Sequence, residues 1–228
     1  MLSKTKKTPI DAVIMAGGFG ERMNLGHSKV LLPVKNDVLL KHCVEQSIEA
    51  GVNRISLICD SASEKSCEKY VADNSVQIYN QKKSKHEYGS TFLMLKEFLR
   101  FNAVSDRILF EYGHAPRPSS FYHTLLGIGN DIVAAQFTQS TRRDIITGIM
   151  GYFIEPPFVI NTDLIIASDA KCWSEFFTAS LKMSLEICLL YTSAPSEFNT
   201  EAEYRRYLDY LEHDFHTTYL SKVAHELE

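Results

Sequence analysis

Five residues near the start of the chain have the types and spacing to hold phosphate: Gly17, Gly18, Gly20, Arg22 and Lys29. Glycines crowded together just after Ala16 let the backbone turn sharply and come close to a ligand, with their N–H groups free to point inward. Arginine and lysine are natural partners for phosphate oxygens. The chemistry this suits is binding a phosphate chain and neutralising charge on it. The glycine spacing lacks the third glycine of a dinucleotide fingerprint, and no Gly-Lys-Ser/Thr of a P-loop is present.

Further along, Gly89-Ser90-Thr91 opens an amphipathic stretch. Its glycine permits close approach of a ligand, and its hydroxyls suit either a helix cap or a ligand at the helix start. Gly113-His114-Ala115-Pro116 comes after an apolar run that contains Glu111. Glu111 shares a strand face with Gly113, where it is either structural or, if the strand end is distorted, a carboxylate for the site. Asn161-Thr162 ends another apolar run, and the pair Arg142-Arg143 offers phosphate donors or an ordinary charged surface. Near the C-terminus, Asn199 precedes Thr200 and Glu203, the spacing of a helix capping box.

The elements that must position these groups alternate. Ala12–Met15 reads as a buried strand, Val38–Ala50 as a helix closed by Gly51, Ile55–Cys59 as a strand, Ser63–Ala72 as a short polar helix and Val76–Tyr79 as a third strand. That order implies a parallel sheet with right-handed crossovers. A helix over Phe92–Phe101 and a strand over Arg107–Tyr112 come next. Ligands of such sheets sit beyond the carboxyl ends of the strands, so His114 should face the glycine loop. The pattern continues with a helix over Ser119–Leu126, a strand over Asp131–Phe137, and two extended segments, Thr147–Ile154 and Phe158–Ile165, on either side of Glu155-Pro156-Pro157. A helix over Asp169–Leu181, a strand over Leu185–Tyr191 and a helix reaching about Leu211 complete it. Trp173, Phe176 and Phe177 fit a core face, and the tyrosines of the last helix fit packing or a homodimer contact.

Hydrophobic residues make up 45% and charged residues 23% of the 228, the composition of an ordinary globular protein. A formal net charge of −4 argues against a general nucleic-acid surface. No apolar run is long enough to span a bilayer. The five cysteines are widely spaced, with no Cys-x-x-Cys pair, which points to a reducing, cytoplasmic setting without a zinc site.

The longer combination is the specific one. A strand, Ala16-Gly17-Gly18-x-Gly20-x-Arg22-Met23, a polar gap and Lys29-x-Leu31-Leu32-Pro33-Val34 together resemble the nucleotidyltransferases that join a nucleoside triphosphate to a phosphorylated sugar or alcohol. The resemblance implies an α/β protein with a GT-A-like, Rossmann-like fold: one three-layer αβα domain over residues 1–228, with a mostly parallel central sheet and a flexible tail over 1–9. It implies that the loop from Ala16 to Gly20 wraps the triphosphate, with Arg22 and Lys29 as the catalytic charges. Gly89-Ser90-Thr91 resembles the family's Leu-Gly-Thr, with Tyr88 in place of the leucine, so Gly89 and Ser90 would meet base or ribose. Asn161 and Thr162 resemble the Asn-Thr of an acceptor loop. Asn199 matches the family's second magnesium ligand.

One position departs from the family. Where its Gly-Asp-x-Pro places the aspartate that holds magnesium, this chain has His114. Imidazole is a poor ligand for magnesium. Three readings stay open: His114 ligates a softer ion such as manganese or zinc, it donates to phosphate directly, or the site has lost metal-dependent chemistry. The resemblance therefore implies transfer of a nucleoside monophosphate from a nucleoside triphosphate to a phosphorylated small-molecule acceptor, with Mg2+ or Mn2+ as cofactor and release of pyrophosphate. The alternative is a catalytically impaired protein on the same fold that binds a nucleotide or nucleotide sugar.

Overall fold

Ile10, Ala12 and Ile14 face one side of the first strand and Val13 and Met15 the other, and both sides are buried. A strand buried on both faces must lie inside a sheet covered by two layers, as parallel sheets are. The computed structural model describes residues 9–17, 23, 25–60, 63–71, 76–80, 91–137, 153–183, 185–192, 194–213 and 218–223. In chain order they form β1 (Ile10–Met15), a small hairpin of β2 (Pro33–Val34) and β3 (Asp37–Val38), α1 (Leu39–Glu49), β4 (Ile55–Cys59), α2 (Glu64–Tyr70) and β5 (Val76–Asn80). Then come α3 (Thr91–Phe101), β6 (Arg107–Tyr112), α4 (Ser119–Gly127), β7 (Ile132–Phe137), β8 (Phe153–Asn161), α5 (Thr162–Ala167), α6 (Trp173–Lys182), β9 (Ile187–Thr192), α7 (Glu201–His213) and β10 (Thr218–Val223).

The central sheet has eight strands in the order β10-β9-β7-β8-β6-β1-β4-β5. β5, β4, β1 and β6 run parallel, β8 is antiparallel to both β6 and β7, and β9 is again parallel to β7. The expected mostly parallel α/β sheet is therefore present. Its two faces hold separate cores. One is covered by α3, α5, α6 and α7, the other by α1, α2 and α4. Trp173 centres the first core, with ring centroids 4.8 Å from Phe110, 4.8 Å from Phe158 and 5.0 Å from Phe92. Each fully buried aromatic or aliphatic side chain there contributes roughly 1.5–3 kcal/mol of transfer free energy.

The sheet corrects one expectation. Phe158–Ile165 is not one extended segment: β8 runs unbroken from Phe153 through the proline pair to Asn161, and Thr162 begins α5. Prolines in a sheet interior normally break pairing because they cannot donate to the ladder. Here Pro156 and Pro157 fall where the register with β7 shifts, since Ala134 pairs with Phe158 but Ala135 with Glu155. The β7 and β8 hydrogen-bond ladder skips the two residues that have no N–H to give.

At the other edge of the sheet, Asp11 fixes the entry of β1. Its buried carboxylate accepts from Arg54 Nη2 at 2.7 Å, Asn53 Nδ2 at 2.9 Å and the Ser105 N–H at 2.8 Å. Among the described residues, no helix is long and apolar enough to cross a membrane.

Candidate functional site

β1 and β6 are adjacent and in register, Met15 opposite Tyr112, so the turns after the two strands emerge at the same edge. The Gly113 N–H extends the ladder by one bond, to Met15 O at 3.0 Å. A Cβ at Gly113 would lie 3.0 Å from Leu40 Cδ1 and 3.1 Å from Ile14 Cγ2, so a side chain here would have to push those two groups aside by a few tenths of an ångström. Ala16 is buried and donates its N–H to Ile58 O at 2.8 Å. Gly17 comes next, beside Asp60: a Cβ there would stand 3.3 Å from Asp60 Oδ2. Gly18, Gly20 and Arg22 lie outside the described residues.

His114 stacks on Tyr112, with centroids 5.5 Å apart and planes 13° from parallel, and meets the edge of Phe198. Its Nε2 is 3.1 Å from Glu197 Oε2. The other oxygen of Glu197 accepts from Asn199 Nδ2 at 3.2 Å. Asn199 Oδ1 in turn accepts from Lys29 Nζ at 2.8 Å, and Lys29 also donates to Phe198 O at 2.6 Å. The ammonium sits 5.4 Å from the centre of the Phe198 ring. Lys29, Asn199, Glu197 and His114 thus form one hydrogen-bonded chain at the carboxyl edge of the sheet. Glu197 is 3% and His114 14% exposed at the side chain, so this carboxylate is held away from bulk water.

Local structure explains how these distant segments meet. Lys29 starts a short 3-10 turn, Lys29–Leu31, anchored by buried Val30 and Leu32. The Tyr204 hydroxyl of α7 donates to Pro33 O and so ties that turn to the start of the last helix. The start of α7 is itself fixed by the expected capping box: Glu203 N–H donates to Thr200 Oγ1 at 3.2 Å, and Glu203 Oε2 accepts from the N–H groups of Thr200 and Asn199 at 3.0 and 2.7 Å. Tyr204, Tyr207 and Tyr210 are buried, so these tyrosines pack within the chain.

Gly89 and Ser90 lie outside the described residues, as do Arg142 and Arg143. Thr91, the residue after Ser90, accepts from Trp173 Nε1 at 3.1 Å and lies 3.3 Å from the Tyr112 hydroxyl. That places the start of α3 beside the strand that carries His114.

Asn161 is not brought to this site. It pairs with Arg107 at the opposite end of β6, five ladder positions from Tyr112 and so about 17 Å along the strand. Its amide donates to Asp131 Oδ1 at 2.7 Å, and Thr162 donates to Asp106 O. Both residues tie together the amino edge of the sheet. The reversed direction of β8 is what moves them there.

Sequence reasoning missed Glu197. Its spacing was the available signal: two residues before Asn199 in an extended approach to a helix puts both side chains on one side. It also missed Arg117, buried below the site, and left Glu111 open between a structural group and a carboxylate for the site. Glu111 is fully buried on the α1 and α4 face, and neither of its oxygens has a hydrogen-bond partner among the described residues. Burial pushes its carboxyl up to about 8, with Arg117 and the Tyr122 hydroxyl pulling partway back.

Among the described residues no three His, Cys, Asp or Glu side chains gather as a metal site. The donor set at the sheet edge is one carboxylate, one imidazole and one amide oxygen. Magnesium usually takes only one or two protein carboxylates and completes its octahedron with waters and substrate phosphates. Glu197 and Asn199 would offer such an ion one carboxylate and one amide oxygen, and His114 would better suit manganese.

A covered, mostly parallel sheet whose first strand runs into Gly17 at its carboxyl edge is a Rossmann-like α/β architecture. Residues 12–140 match the model of the MobA-like NTP transferase domain, which is more than half of the chain, and the protein belongs to that nucleotidyltransferase family. No curated protein matches its sequence. Solved structures share the fold at low identity. One is 4-diphosphocytidyl-2C-methyl-D-erythritol synthase from Anaerococcus prevotii, with TM-score 0.67 and 15% identity, covering 90% of this chain and 97% of that one. The inositol-1-phosphate CTP transferase from T. maritima gives TM-score 0.66 and 14% identity, covering 92% and 99%. A Mycobacterium tuberculosis protein solved in complex with manganese gives TM-score 0.63 and 14% identity, covering 89% and 99%.

Proposed function

We propose that this protein transfers a nucleoside monophosphate from a nucleoside triphosphate to a phosphorylated small-molecule acceptor and releases pyrophosphate. An acceptor phosphate oxygen attacks the α-phosphorus, a new P–O bond forms, and the bond to the β-phosphate oxygen breaks. Catalysis of this kind is mostly positioning and charge neutralisation. The observation that carries the reading is the chain Lys29–Asn199–Glu197–His114, in a member of a nucleotidyltransferase family.

The roles come from the groups. Lys29 would supply an ammonium to the triphosphate, and Arg22 a second cation to the leaving pyrophosphate. Glu197 and Asn199, with His114 beside them, would hold Mg2+ or Mn2+. Such an ion, when bound, supplies Lewis-acid charge to phosphate oxygens. The missing aspartate at position 114 is offset by a carboxylate from the neighbouring turn, and this favours transfer over binding without turnover. Gly89 and Ser90 are assigned to the nucleoside. Asn161 has no part in the site.

The test is pyrophosphate release from the four nucleoside triphosphates against a panel of phosphorylated acceptors, with magnesium and manganese in parallel. Release with one donor and acceptor pair supports the reading. Silence across the panel, with a nucleotide still raising the melting temperature, supports the binding protein instead.

A further inference from the structure

Arg117 is three residues beyond His114 and fully buried. Its Nη1 donates to Pro195 O at 2.6 Å and its Nη2 to Ser196 O. These are the two residues before Glu197. The guanidinium lies between aromatic rings, 4.9 Å from the centre of Phe137 and 5.5 Å from that of Tyr207. Its own N–H donates to the Tyr122 hydroxyl at 3.0 Å, and the Tyr207 hydroxyl donates to Pro116 O next door.

As a source of stability this is a poor use of a cation. Removing a guanidinium from water is costly, and a well-packed apolar side chain commonly does as well or better. Arg117 Nε and Ser196 Oγ have no hydrogen-bond partner among the described residues, and no carboxylate there lies within ion-pair distance of the guanidinium. What an arginine offers that leucine or methionine does not is a rigid planar fork. Here the fork grips the carbonyls of two consecutive residues. It fixes the backbone of the turn that aims Glu197, from a base that is part of the turn carrying His114.

We propose that Arg117 is a positioning residue that locks the Glu197 turn against the His114 turn, so that Glu197 meets His114 and Asn199 together. It touches neither substrate nor ion. This rests on the reading that Glu197, Asn199 and His114 hold the divalent ion, and the same geometry sets how well they do so.

The experiment compares the whole wild-type protein with Arg117→Met and Arg117→Lys. Methionine fills the volume without donors, and lysine reaches a single carbonyl. Two readouts are taken at one fixed pH: Mn2+ affinity by electron paramagnetic resonance, and the ring 15N shifts of His114, assigned with His114→Gln. Supporting residues one step from a metal ligand typically change affinity by about 10–100-fold. The expected result is a loss of about tenfold in Mn2+ affinity for Arg117→Met, a smaller loss for Arg117→Lys, and His114 ring shifts that move toward those of Glu197→Gln. Melting curves should show Arg117→Met still folded, melting a few degrees lower because two carbonyls lose their donors. If methionine prevents folding, lysine decides the question.

A folded variant that keeps the wild-type ring shifts and Mn2+ affinity overturns the proposal. If the wild type itself binds no Mn2+, the metal reading fails. The ring shifts still decide whether Arg117 positions Glu197.

Discussion

Glu197 and His114 are 83 positions apart in the chain and 3.1 Å apart in the structure. The contact joins the turn after β6 to the turn before α7 and puts a carboxylate where the residue after the glycine is a histidine. Removing it should therefore cost the reaction. Glu197→Gln is expected to lower pyrophosphate release by about 100-fold or more, the scale seen when one electrostatic group at a reacting phosphate or carbonyl is lost. A melting temperature within a few degrees of wild type would show that the loss is chemical.

His114→Asp would set two carboxylates face to face. Like charges at that distance repel unless a cation bridges them. The variant should melt below wild type in a chelating buffer and recover with added Mn2+ or Mg2+, and its use of magnesium relative to manganese should rise. Equal melting with and without metal would count against a cation site here.

Lys29 donates to Asn199 Oδ1, the same amide oxygen proposed to meet the ion. Lys29→Ala should therefore show tighter Mn2+ binding than wild type without nucleotide, by a few-fold, and a raised KM for the nucleoside triphosphate. Isothermal titration with Mn2+ checks the first, and initial-rate kinetics across nucleotide concentrations check the second. Weaker Mn2+ binding in the variant would mean that Lys29 and the ion do not compete for Asn199.

Glu111 gives stability a pH dependence whose sign can be worked out. Its carboxyl is raised from 4.5 to about 8 in the folded protein by burial. Between those values the folded state keeps a proton that the unfolded chain has released. Its contribution to stability is full below the lower value and is lost as pH rises toward the upper one. The span corresponds to a few kcal/mol at most, on the order of 1.4 kcal/mol for each unit. Urea denaturation of wild type and Glu111→Gln across this window should diverge, with the wild type losing stability relative to the variant as pH rises. Parallel curves would place a compensating charge beside Glu111.

Asn161 belongs to the other edge of the sheet. Asn161→Ala should cost about 1.5–3 kcal/mol of stability, the value of a hydrogen bond to a charged partner, and leave kcat and KM unchanged. A changed KM for the acceptor would return it to the site.

Much of this arrangement was legible in the sequence, for physical reasons. Apolar runs such as Ile55–Cys59 and Arg107–Tyr112 are buried on both faces, so their lengths alone mark them as strands, and the structure places both where expected. Thr200 and Glu203 announced a helix start because the capping box is a local bond pattern. What was not legible depends on direction and on long-range pairing. Nothing near Asn161 says that β8 runs backward, yet that reversal takes the residue from the carboxyl edge to the amino edge. Nor does the stretch around Pro195 announce that its carbonyls face an arginine 78 residues earlier, which is how the turn holding Glu197 is fixed. The unbroken β8 was hidden for the same reason. Its prolines are tolerated because the partner strand shifts register opposite them.

The central claim is that the Lys29–Asn199–Glu197–His114 chain serves nucleotidyl transfer. The most direct measurement is pyrophosphate release by wild type and Glu197→Gln with the best donor and acceptor pair, each with magnesium and with manganese. Turnover by the wild type should require a divalent ion and should collapse in the variant. Equal turnover by the two proteins, or turnover indifferent to the ion, would contradict it.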